Sequence, residues 1–122
     1  MQNAEIQNLL ADTTKNDPDL VGLLVYNFAT GEILATTFSP EHSEKVIKIQ
    51  KIFYETEKDS LVSTEEPADE TNWFMKSVSR KIIYEVHVTR DVCLFGETKI
   101  TEAPTATLED ALELALMISR KL

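Results

Sequence analysis

The stretch Leu20-Val21-Gly22-Leu23-Leu24-Val25-Tyr26-Asn27-Phe28 is apolar at nearly every position, not at every second one. A strand with one wet face alternates apolar and polar residues, whereas a strand covered on both faces reads as a continuous apolar run. Ala29-Thr30-Gly31-Glu32 then supplies a turn with a glycine, and Ile33 to Phe38 resumes an apolar, β-branched run. Two such runs joined by a short loop predict a β-hairpin, β1 over Leu20–Phe28 and β2 over Ile33–Phe38. The unbroken pattern of β1 asks for helices on both sides of one sheet.

The flanking chain supplies those helices. Between Ala4 and Lys15, Ile6, Leu9 and Leu10 form a narrow apolar stripe, which predicts a helix α1 that Asn16-Asp17-Pro18-Asp19 ends. Ser39 before Pro40, with Glu41 and Glu44 close behind, has the make-up of a helix start, so α2 is expected from there to Asp59. Ser60 to Thr71 reads as a polar, acidic linker containing Pro67. Three short strands follow: β3 over Trp73–Ser79, β4 over Ile82–Thr89 and β5 over Val92–Thr98. Arg80-Lys81 and Arg90-Asp91 are the expected turns. Thr107 is the expected N-cap of α3, whose Leu108, Ala111, Leu112, Leu114, Ala115, Leu116 and Ile118 call for burial by the sheet. The order is α1-β1-β2-α2-β3-β4-β5-α3, an α+β class with one sheet.

A chain of 122 residues that is 43% hydrophobic and 27% charged can build a core without staples, so Met1–Leu122 is read as a single domain. Its net charge of −9 argues against nucleic acid, because binding phosphates needs clustered Lys and Arg. The one cysteine, Cys93, allows no internal disulfide. Met1 to Asp12 has neither the basic nor the apolar part of a signal peptide, and no run is long enough to insert in a membrane. A cytoplasmic, soluble protein is expected.

Motifs for catalysis or cofactors do not emerge. The three glycines form no phosphate loop, and the two histidines do not stand at metal-ligand spacing. Glu65-Glu66 and Asp69-Glu70 lack the frame of a calcium loop and read as solvated linker. If Arg90-Asp91 is a two-residue turn, Val88 faces Cys93 and His87 faces Leu94, which sends His87 and Cys93 to opposite faces of the sheet. On that register a Cys–His dyad fails, and Cys93 is a core residue beside Tyr84, Val86, Val88 and Phe95. No catalytic residue, cofactor or metal site is assigned, and the protein is expected not to be an enzyme.

One feature asks for a partner. Placed at 100° intervals, Val46, Ile47, Ile49, Ile52, Phe53 and Tyr54 span an arc of roughly 220° on α2, where a single core needs about 100°. The surplus calls for another protein surface. Trp73, Phe74 and Met75 follow a long loop, where an edge strand is expected, and a second copy pairing there would cover the edge. Val46, Ile49, Ile52, Phe53, Trp73, Phe74 and Met75 are therefore the candidate residues of a homodimer interface.

With the element order, the hairpin Gly22–Ala35 and the apolar C-terminal helix in place, the chain resembles the roadblock family of dynein light-chain and small-GTPase regulator domains. The resemblance covers nearly the whole chain and rests on a Gly, an apolar strand, a turn with Gly, an apolar pair and a small residue. It implies a five-stranded antiparallel sheet with α2 on one face and α1 and α3 on the other, and a dimer made by α2 and β3. It also implies a scaffold or regulator of a Ras-like small GTPase or a motor or signalling complex, with no common active site. The acidic linker is long for the family, and the β4–β5 turn has no Gly. Two other readings stand beside it. An acidic dimeric secretion chaperone would bind an unfolded effector, but it needs three strands between its first two helices. A profilin-like or PAS-like sensor would enclose a small ligand, yet no polar residues converge inside an apolar run.

Overall fold

The computed structural model describes residues 3–61, 73–78, 81–99 and 104–122, with the main chain alone for 53–61, 73–78, 81 and 104–108. The element order is α1 (Ala4–Asn16), β1 (Leu20–Asn27), β2 (Ile33–Thr36), α2 (Pro40–Leu61), β3 (Trp73–Val78), β4 (Lys81–His87), β5 (Val92–Lys99) and α3 (Pro104–Ser119). The strands form one antiparallel sheet in the order β2-β1-β5-β4-β3.

Successive residues of β1 point to opposite faces, and both faces are buried. Leu23 and Val25 join Leu94, Val86 and Tyr84 beneath α1 (Ile6, Leu10) and α3 (Ala111, Leu114, Ala115, Ile118). Leu24 and Tyr26 join Cys93 and Phe95 beneath Val46 of α2, with Ile47, Phe38 and Ile83 at the margin. The β1–β2 turn is shaped by Asn27, whose Oδ1 accepts from the main-chain N–H groups of Ala29 and Thr30 at 2.9 and 3.0 Å. Gly31 follows with φ of 82°, the left-handed region that a Cβ disfavours.

Leu116, expected beneath the sheet, stands on the outer side of α3 at 54% exposed, and Lys81, expected in a turn, opens β4 opposite Val78. Two further expectations need correction. Helix α3 begins at Pro104, so Thr107 lies within its first turn instead of capping it. Proline suits this position, since its ring presets the helical φ and its missing N–H would find no partner in the first turn. The second correction is the β4–β5 register. Cys93 faces His87, and Leu94 faces Val86. The reason is the turn: a two-residue connection of this kind needs φ > 0 at its centre, which suits Gly or Asn and not Arg90-Asp91. The chain instead spends three residues, Thr89 to Asp91, between Val88 and Val92; the Val88 and Thr89 N–H groups donate to the Val92 carbonyl, and the Thr89 hydroxyl accepts from the Val92 N–H. One extra residue in a hairpin flips every side chain of the strand. Cys93 is thus fully buried as expected, but on the α2 face with Phe95, Leu24 and Tyr26, while Tyr84 and Val86 lie on the other face.

The acidic linker beyond Leu61, including Glu65-Glu66 and Asp69-Glu70, and the turn at Arg80 lie outside the described residues.

Candidate functional site

Helix α2 starts where Ser39 caps it: the Ser39 Oγ accepts from the His42 N–H at 3.2 Å, and the Ser39 carbonyl accepts from the Ser43 N–H at 2.9 Å. Its inward stripe is Ser43, Val46 and Gln50, all buried and spaced three and four apart. Two of the three are polar. Ser43 hydrogen-bonds the Thr36 hydroxyl at 2.8 Å, and the Gln50 amide donates to Glu85 Oε1 at 3.3 Å, so both enter the core with partners. Because polar residues take part of the sheet-facing stripe, apolar residues are left on the outside. Ile49 is 52% exposed and Ile52 is 60% exposed.

The wide apolar arc of the sequence thus divides. Val46 and Ile47 pack on the sheet, while Ile49 and Ile52 stand at the surface. The side chains of Phe53, Trp73, Phe74 and Met75 lie outside the described residues, but the main chain of Trp73–Val78 forms the last strand of the sheet beside β4. Periodicity alone could not have separated Val46 from Ile49. The division follows Ser43 and Gln50 finding partners on strands, Ser43 on Thr36 of the preceding β2 and Gln50 on Glu85 of β4, 35 residues away.

At the β2 edge, the Gln7 side chain acts as a short piece of strand: its Nε2 donates to the Thr36 carbonyl at 2.7 Å and its Oε1 accepts from the Thr36 N–H at 3.0 Å. The Asn3 N–H donates to the Leu34 carbonyl at 2.9 Å on the same edge. Helix α1 therefore occupies main-chain groups of β2 that another chain could otherwise pair with. Among the described residues no comparable cover is seen at β3.

The facing pair Cys93 and His87 does not have the electrostatics of a nucleophile and its base. Burial pushes the Cys93 thiol well above its ordinary value, and the nearby Glu85 and Asp91 carboxylates add to the rise. Burial lowers His87, partly offset by its hydrogen bond to the Arg90 main chain. A catalytic thiolate–imidazolium pair needs the opposite shifts. Among the described residues, no helix is long and apolar enough to cross a membrane.

No family model matches this chain, and no curated protein matches its sequence. Solved structures do match. A Roadblock/LC7 domain from Streptomyces avermitilis superimposes with a TM-score of 0.69 at 10% identity, covering 92% of each chain. The gliding protein MglB from Thermus thermophilus gives 0.70 at 11% identity over 96% of this chain and 87% of its own. Myxococcus xanthus MglB gives 0.71 at 9% identity over 96% and 86%. At such low identity the agreement is one of backbone path, and it extends over almost all of both partners. This chain shares the fold of the Roadblock/LC7 domains.

Proposed function

We propose that the protein is a non-enzymatic protein-binding module that pairs with a second copy of itself through α2 and β3. In that form it serves as a scaffold or regulator of a Ras-like small GTPase or of a motor or signalling complex. The observation that carries this reading is the outward apolar face of α2. One sheet edge is occupied by Gln7 and Asn3, while α2, which packs on the sheet through Val46, turns Ile49 and Ile52 to the surface. A two-fold axis beside β3 and α2 would join two sheets edge to edge and cover both isoleucines together. Further support comes from the fold shared with Roadblock/LC7 domains and from an MglB structure described as having a tetrameric arrangement. The GTPase part of the proposal rests on the family resemblance alone. In this reading the interface comprises Ile49, Ile52, Phe53, Trp73, Phe74 and Met75; Val46, expected among them from the sequence, is instead buried against the sheet, because it lies on the inward stripe of α2 with Ser43 and Gln50.

The test is the solution mass. A stable pair should bury about 1,200–2,000 Å² in total. Wild type is expected to sediment as a dimer at tens of micromolar. The double variant Ile49→Glu/Ile52→Glu should sediment as a monomer with an unchanged far-UV spectrum, because both positions are more than half exposed in the single chain. A monomeric wild type would refute the pairing. Capture of a Ras-like GTPase from nucleotide-loaded extract by wild type but not by the double variant is the expected second result.

A further inference from the structure

The corrected β4–β5 register brings together three side chains that the sequence holds apart. Glu85 and His87 are two apart on β4 and so share a face, and Cys93 stands opposite His87 on β5. One donor atom from each (a carboxylate oxygen, a ring nitrogen and the sulfur) lies within 4.8 Å of the other two. Glu85 and Cys93 are completely buried, and His87 is half-buried at the end of the strand, where an ion could enter.

We propose that Glu85, His87 and Cys93 form a binding site for one Zn²⁺ ion beneath α2. The donor set decides the kind of metal. Calcium and magnesium take oxygen ligands almost throughout, whereas zinc accepts sulfur, imidazole and carboxylate together, and three protein ligands plus one exchangeable position is a common arrangement. At ordinary zinc bond lengths tetrahedral donors sit roughly 3.3–3.6 Å apart. A set already within 4.8 Å closes onto an ion by side-chain movement of about 1 Å or slightly more. The charges also balance. A carboxylate, a thiolate and a neutral imidazole cancel Zn²⁺, so no net charge is left in a dry place. The thiol proton leaves to solvent as the Zn–S bond forms.

The surroundings resemble the supports that orient metal ligands. The Tyr26 hydroxyl donates to Glu85 Oε1 at 2.7 Å, and the Gln50 amide reaches the same oxygen at 3.3 Å. His87 hydrogen-bonds the Arg90 main chain. In a neutral imidazole that donates from one nitrogen, the lone pair sits on the other, which fixes the tautomer that binds metal. The Phe28 ring lies beside the His87 ring, with centroids 6.2 Å apart. These contacts lie within one chain, so the site does not depend on the dimer proposed above, and either can fail without the other.

The full-length protein, stripped of metal and kept reduced, should be titrated with Co²⁺ and then with Zn²⁺. The expected result is a sulfur-to-cobalt charge-transfer band that saturates at one equivalent and is displaced by Zn²⁺. Zn²⁺, but not Mg²⁺, should also raise the melting temperature by several degrees. Cys93→Ser should abolish the band, and His87→Gln should weaken binding more than Tyr26→Phe does. For Tyr26→Phe the expected loss is about tenfold, typical of a group that orients a ligand. His42→Gln removes the other histidine and should change nothing. If Cys93→Ser does not fold, the wild-type cobalt spectrum and the His87→Gln affinity decide the matter. Absence of a charge-transfer band in wild type, or equal affinity in wild type and His87→Gln, overturns the proposal and leaves a hydrogen-bonded core cluster.

Discussion

Gly96 faces Tyr84 across the β4–β5 pair, and the tyrosine ring lies where a Cβ on Gly96 would project. The ring is almost fully buried, so it cannot swing aside without disturbing the packing beneath α1 and α3. Gly96→Ala should therefore destabilise the protein by about 1–3 kcal/mol, the range for forcing extra atoms into a packed core. Urea denaturation would measure this, and Tyr84→Leu in the same chain should return part of the loss, because the two residues share one space. Gly22 plays the same part on the other face, where the Phe38 ring occupies its missing Cβ. Neither glycine is explained by a turn. They are flat places on a strand over which a ring lies, and a sequence read alone shows only that glycine is present.

At the scale of elements, α1 does more than cover a face. Through Gln7 it also closes the β2 edge, with one amide satisfying both main-chain groups of Thr36. Gln7→Ala removes both bonds at once and should cost about 1–3 kcal/mol, as for hydrogen bonds lost from partly buried groups. It should also raise the tendency to aggregate on warming, since the edge is opened to other chains. Thermal melts with light-scattering detection would check both effects. No change in either would mean that Gln7 is merely adjacent to the edge. The amphipathic pattern of α1 was legible from Ile6, Leu9 and Leu10. The task of Gln7, a polar residue among polar residues, was not, because it depends on Thr36, which lies 29 residues further along the chain.

At the scale of the whole molecule, the proposed pairing makes the outward main-chain groups of β3 part of a longer sheet. Hydrogen exchange over 73–78 should slow as the concentration is raised through the dissociation constant, while exchange at β2, covered within its own chain, should not respond. Exchange at β3 that is independent of concentration would count against pairing through that edge. The order of elements was readable in advance because it depends on local facts: the unbroken apolar run of β1, the glycine turn after it, the Ser39-Pro40 start of α2 and the apolar face of α3. These act over a few residues, where pattern and capping chemistry decide the outcome. The layering followed from the same run, since a strand without a polar face must be covered twice. Two matters lay beyond the pattern of any one element. Which apolar residues of α2 turn inward was decided by Ser43 and Gln50, whose partners Thr36 and Glu85 come from other strands. Whether Cys93 meets His87 was decided by a single residue in the 88–91 loop, because side chains alternate along a strand and a shift of one exchanges its faces. Pattern along the chain determined which elements form and which surfaces need cover. Only the tertiary structure decided which side chains meet, because a strand register is settled by how its turn closes and a helix rotation by contacts with other elements, and neither shows in the pattern along one element.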